Sequence, residues 1–362
     1  MITRQALLVT AGCGLAFAVS GCGTSKETAA PEHPKGPPSG VSTGQALYSI
    51  SGATSPGTAA VDTYANAALQ HAQPYVIAKP PESAPPKGKS VQPSVKGIAA
   101  PLEKPSPRQV ESTIRGDEGF WPGPFRKSVA VMEGVVQFEE AGHTYVCSGT
   151  VMNSPNKSVV WTAGHCVHEG APRRGTGKYH KNWLFAPGYR KGKTPFGWWK
   201  SKRLFSVNGW ADDGNPRFDL GAAVLQRKHG RTAGQVIADG QGIEWGYPAS
   251  QGYWSFGYPA APPFNGEKLA YCRSGLLTRY FPNSRVYRGK THPAVGPVSG
   301  PGMIEIKCNM TGGASGGAWL AEFDGSHYGY VDGVNSLGDD RTMDSPYFGD
   351  AAKNLWNYVK GR

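Results

Sequence analysis

Between about Gly116 and Arg362, short apolar runs at 129–138, 145–152, 158–163, 219–226, 302–307, 317–323 and 328–334 are separated by Gly, Pro and Asn. Runs this short, bounded by turn-forming residues, read as buried strands. Many such strands must hide their edges, and a sandwich or a closed barrel is how an all-β chain does so. The exception follows Ser345-Pro346: Phe348, Ala352, Leu355, Trp356 and Val359 recur at helical spacing, which predicts a C-terminal helix over 347–359.

The preceding residues have another composition. Arg4 followed by the apolar stretch Ala6–Val19 reads as an export signal, and Val19-Ser20-Gly21-Cys22 resembles a bacterial lipobox, with cleavage before a lipid-bearing Cys22. Two acyl chains on one cysteine anchor stably where one binds only marginally. The alternative is an ordinary secretory signal cleaved near Ala18 or Gly21. From Gly23 to Pro107 the chain holds 14 of its 30 prolines and few large apolar residues. Such a stretch buries too little to offset its ordering entropy. The expected organisation is therefore 1–21 signal peptide, 22–115 tether or pro-segment with room for a short helix at 59–73, and 116–362 a folded domain.

Two segments carry chemistry. Val159-Val160-Trp161-Thr162-Ala163 is a strand that ends on Gly164-His165-Cys166, and Gly313-Ala314-Ser315-Gly316-Gly317 presents a serine among glycines. A serine hydroxyl is a poor nucleophile unless a neutral imidazole takes its proton, and the imidazole needs a carboxylate to fix its tautomer. Asp219, heading the apolar run Leu220–Leu225, is the carboxylate best placed to be buried and partnered. His143, His168 and His180 compete with His165, and Asp212 and Asp213 with Asp219; none has the same setting.

The order His165, Asp219, Ser315 and these flanking residues resemble the chymotrypsin/trypsin-like serine peptidases, in particular their secreted bacterial branch. The resemblance implies an all-β fold of two six-stranded antiparallel barrels with the site between them and a C-terminal helix packed on the second. It implies a serine endopeptidase working through an acyl-enzyme, with the backbone N–H groups of Gly313 and Ser315 as oxyanion donors. It places Asn309 at the base of the specificity pocket and Ser336, Leu337 and Gly338 along the substrate strand. It also pairs Cys147 with Cys166, which leaves Cys272 for Cys308; Cys13 and Cys22 belong to the signal region. One residue departs from the family pattern. Ala314 stands where an aspartate usually binds a newly released N-terminus, so local hydrogen bonds are expected to hold the Gly313 loop instead.

The chain carries a formal charge of +12, and between Gly170 and Ala211 basic residues alternate with aromatics without one Asp or Glu. Export makes nucleic acid an improbable partner. Anionic headgroups or cell-envelope polymers would be drawn by the same field, and a solvated loop with strand aromatics is the simpler reading. Neither a metal site nor a cofactor is expected, since the histidines lack paired spacing. The expected partners of this monomer are protein or peptide substrates and the outer face of the membrane. Two rival functions stay open: a catalytically silent binding lipoprotein, and an esterase using the same triad.

Overall fold

The strand Glu133–Glu140 turns into His143–Val151 through two residues, Ala141 and Gly142, both at positive φ (50° and 85°). Two left-handed residues give the turn the twist of the strands it joins. The computed structural model describes residues 40–45, 58–80, 96–101, 117–173, 175–294 and 300–362, all within one unit spanning 37–362. The export signal, Cys22 and the expected boundary at 115–116 lie outside the described residues.

Glu133–Glu140 also pairs with Lys181–Pro187, and His143–Val151 continues to Val159–Thr162, then Gly221–Leu225, then Trp199–Val207. Pairing of Leu184 with Lys200 and Phe185 with Trp199 returns to the start, so six antiparallel strands close a barrel. Aromatics of the basic stretch are part of the core: Trp183, Phe185, Trp198 and Trp199 are buried, while Lys181, Lys202 and Arg203 are exposed.

The later strands form a ten-stranded sheet that curls on itself. Tyr330–Val334 pairs with Ala318–Ala321; two residues on, Leu337–Gly338 pairs with Thr342–Ser345 at the far end of the same sheet. The ladder comes round except for the break at Asn335 and Ser336. Cys147–Cys166 and Cys272–Cys308 are disulfide-bonded; a bridge of this kind stabilises a fold by roughly 2–4 kcal/mol.

The C-terminal helix, Asp350–Val359, buries Ala352, Leu355, Trp356 and Val359. It was expected on the second barrel and sits instead mainly on the first. Tyr358 meets Phe205 edge-on at 5.8 Å, and the Asn156 amide donates to the carbonyls of Val359 and Arg362 at 3.2 and 2.8 Å. The helix lies against strands 199–207 and 221–225.

Parts of the 22–115 stretch lie on this body. Val41–Gln45 pairs with residues 203–207, and Gly97–Ala99 adds to Gly242–Trp245. The helix Thr58–Leu69 is fixed by Asp62, which accepts from the Trp198 N–H at 2.8 Å, and by Asn66, which accepts from the Trp198 indole at 2.9 Å.

Burial pushes the Glu133 carboxyl up from the usual 4.5 to about 8, although Thr150 donates to it at 2.7 Å. The folded chain therefore keeps a proton up to about pH 8 that the unfolded chain releases near 4.5, so stability falls as pH rises through that window. Burial drives Glu140 and Glu244 the same way, each to about 7. We expect Glu133→Gln to flatten the decline in melting temperature between pH 5 and 8. Parallel wild-type and variant profiles in thermal melts would contradict this.

Candidate active site

His165 is the middle residue of a single 3-10 turn, Gly164–Cys166, that follows the strand Val159–Thr162. Glycine is required before it, because a Cβ on Gly164 would stand 2.9 Å from Asp219 Oδ1 and 2.8 Å from the Trp210 ring. Cys166, next in sequence, is tied to Cys147 on the strand His143–Val151. The turn is thus pinned at both ends.

Asp219 ends another short turn, Pro216–Phe218, capped by the Asn215 side chain, which accepts from the Arg217 N–H. Its carboxylate is fully buried and takes three donors. The His165 N–H reaches Oδ1 at 2.6 Å; the His165 ring Nδ1 and the Ser336 hydroxyl reach Oδ2, each at 2.6 Å. A carboxylate accepts only, so Nδ1 carries a proton, and in the neutral ring the lone pair is then on Nε2. Nε2 is buried with no hydrogen-bond partner among the described residues. The competing side chains are elsewhere. His180 donates from Nε2 to the His165 carbonyl at 2.9 Å, and burial pushes His180 down to about 3 and His168 to about 4, so both rings are neutral. His143 is exposed, and Asp212 and Asp213 are half-buried.

Ser315 is half-exposed on a loop with Gly313 and Gly316 at φ 97° and 82°. A Cβ on Gly313 would lie 2.8 Å from that of Ala260, and one on Gly316 would overlap the Thr162 hydroxyl. Both glycines are therefore dictated by conformation and by space. The Ser315 carbonyl accepts from the Ser148 N–H at 2.6 Å and lies 3.5 Å from Cys166 Sγ, so the serine loop rests against the bridge beside His165. Ser148 ties the loop again, its hydroxyl donating to the Gly313 carbonyl at 2.9 Å while accepting from the Tyr258 N–H at 2.9 Å. The N–H groups of Gly313 and Ser315 have no backbone acceptor among the described residues.

Of the expected substrate-side residues, Asn309 is half-buried and Leu337 buried, and Gly338 is half-exposed. Ser336 is buried, and its hydroxyl donates to Asp219 at 2.6 Å. Cys147, His165 and Cys166 offer metal-ligand atoms within 4.8 Å of one another, but both sulfurs are spent in a disulfide, which removes the thiolates a metal would take.

A segment that composition assigned to the tether crosses this site. Gln73 and Pro74 pair in parallel with Tyr145 and Val146, and Tyr75 is 3 % exposed. The Tyr75 ring stacks on the His165 imidazole with centroids 5.5 Å apart and planes at 16°, and its hydroxyl donates to Glu140 at 2.9 Å. Val76 lies so close to Gly312 that a Cβ there would overlap it. Ala78 bridges Gly338, and its carbonyl accepts from the Thr291 hydroxyl at 2.9 Å. Lys79 forms ion pairs with Glu305 and, at 3.2 Å, with buried Asp344. Sequence reasoning had no signal for Tyr75, one aromatic in a proline-rich context.

No family model matches the chain. Solved structures do match, among them a thermostable serine protease, AL20, from an extremophilic microorganism, and the protease Anisep from Arthrobacter nicotinovorans. The first is 33 % identical with a TM-score of 0.54, covering 64 % of this chain and 97 % of its own. The second is 34 % identical with a TM-score of 0.55, covering 66 % and 98 %. With the closed barrel and these matches in hand, the chain belongs to the chymotrypsin-like serine proteases. Among curated proteins, the extracellular metalloprotease of Bacillus subtilis (strain 168) is 31 % identical over 115 residues, 31 % of this chain; the chain spans about a third (32 %) of that relative's length. Among the described residues no helix is long and apolar enough to cross a membrane.

Proposed function

We propose that this protein is an exported serine endopeptidase in which Ser315 attacks the peptide carbonyl, His165 takes and returns the proton, and Asp219 holds the imidazole. The observation that carries this is the pair of hydrogen bonds from His165 to Asp219, which leaves Nε2 without a hydrogen-bond partner among the described residues. An imidazole in that tautomer is a general base. The N–H groups of Gly313 and Ser315 take the oxyanion, each worth roughly 3 kcal/mol in such sites. Leu337 and Gly338 align the substrate backbone and Asn309 closes the side-chain pocket. Peptides are the substrate class, supported by the two related proteases. No observation favours the silent binding protein or the esterase over this reading.

The 22–115 stretch acts as a pro-segment, and residues 73–80 cover the cleft. Tyr75 lies over His165, and Ala78 occupies the edge of Gly338 where substrate backbone would pair. With Ala314 in place of an aspartate, activation needs no new N-terminus; it needs this strap to leave. A serine-directed phosphonate tests both ideas at once. Labelling of the full-length chain should rise at least about tenfold in Tyr75→Ala/Lys79→Ala, a change of about 1.4 kcal/mol in strap closure, and vanish in Ser315→Ala and His165→Ala. Labelling that persists in Ser315→Ala would sink the triad, and equal labelling with and without the strap substitutions would sink the covering role.

Export with a diacylated Cys22, anchored at the outer face of the cell membrane, completes the proposal. It rests on the lipobox-like Val19–Cys22. A metabolic lipid label and membrane retention are expected in wild type and absent in Cys22→Ser. A wild-type protein wholly in the medium and beginning after Ala18 would refute the anchor.

A further inference from the structure

Ala314, next to Ser315, has no polar side chain to fix the loop, and its carbonyl is held by the side chain of Asn335. Asn335 is fully buried, and all four of its side-chain hydrogen-bonding positions are filled. Its Oδ1 accepts from the Trp319 indole at 2.7 Å and the Ser255 hydroxyl at 2.6 Å. Its Nδ2 donates to the carbonyls of Phe256 at 2.8 Å and Ala314 at 2.9 Å. The indole N–H only donates and the two carbonyls only accept, so the amide has one orientation. Its backbone joins the same loop, its carbonyl accepting from the Gly316 N–H at 2.7 Å and its N–H donating to the Gly317 carbonyl at 3.0 Å.

The consequence follows from the planarity of the peptide bond. The Ala314 C=O and the Ser315 N–H belong to one trans peptide unit and point in opposite directions. Holding the Ala314 oxygen, which the Gly317 N–H also does at 3.1 Å, therefore aims the Ser315 N–H. The 312–313 peptide unit obeys the same logic. The Gly312 carbonyl accepts from the N–H groups of Ala260 and Ala261 at 2.7 and 3.1 Å, which aims the Gly313 N–H. Each donor is set by a clamp on the far end of its own peptide plane, and Asn335 is the only side chain among the described residues that clamps the Ala314 carbonyl.

We propose that Asn335 is a positioning residue that presets the oxyanion hole without any activating N-terminus. This rests on the reading of Ser315 as nucleophile. A freed Ala314 carbonyl lets the 314–315 peptide rotate and turns one donor away. The loss then falls on the tetrahedral state and spares ground-state binding of the peptide.

The test uses Asn335→Asp, which keeps the acceptors for Trp319 and Ser255 and loses both donors, with Asn335→Ser as a second variant that leaves room for water. Both are compared in the form of the protein, full-length or processed, that shows Ser315-dependent peptide turnover. We expect kcat to fall roughly 10²–10³-fold, with KM within about threefold. Affinity for a peptide boronate, which forms a tetrahedral adduct on the serine, should fall in proportion to kcat/KM, and affinity for the cleaved acidic product peptide should hold. A folded variant with unchanged kcat, or with boronate and product affinities falling together, overturns the proposal. Failure of both variants to fold assigns Asn335 to the core alone and also overturns it. A parent protein without Ser315-dependent turnover sinks the peptidase reading instead, leaving the two failures distinguishable.

Discussion

The Asp219 carboxylate is the interaction on which the site depends. It is fully buried, and a charge there is tolerable only when its oxygens are hydrogen-bonded. Its donors come from two parts of the fold: the His165 turn of the closed barrel, and Ser336 at the break in the curled sheet. One side chain thus joins the two sheets and sets the imidazole tautomer. Ser148 makes a second joint, holding the carbonyls of Gly313 and Ser315 from a strand of the first barrel. The polar groups that would do chemistry are thus among those that pin the sheets together.

The same economy explains the strap. Residues 73–80 do not form a core of their own; they borrow one. Tyr75 and Ile77 turn inward while Val76 and Ala78 turn outward, the alternation of an extended strand laid on a surface. Lys79 is charged despite partial burial because Glu305 and Asp344 flank it; burial holds the Asp344 carboxyl above the usual range while Lys79 pulls it the other way. Each contact is modest, and together with the helix Thr58–Leu69 they anchor a segment whose composition alone gives no reason to fold.

Much of this was legible in the residues. The apolar runs marked strands on both sides of the molecule, and the settings of His165 and Asp219 separated them from their rivals. The strands Trp199–Val207 and Ala270–Tyr280 are harder to see, because Lys, Arg, Ser and Thr interrupt their aromatics and aliphatics and break up any apolar run. Helical spacing marks the C-terminal helix but not the barrel it packs on, since periodicity names a buried face and not what covers it. Tyr75 and Asn335 left no local trace. Their roles arise from contacts with residues 90 and 21 positions away, His165 and Ala314, which only the folded chain brings together.

Nitrogen-15 NMR of the histidine rings tests the central claim most directly, because it reads which nitrogen of His165 bears the proton. At neutral pH the account predicts a protonated Nδ1, its proton shifted far downfield by the short bond to Asp219, and a bare Nε2; the downfield proton should disappear in Asp219→Asn. A His165 ring protonated on Nε2 with Nδ1 bare, or a downfield signal that survives Asp219→Asn, would contradict it.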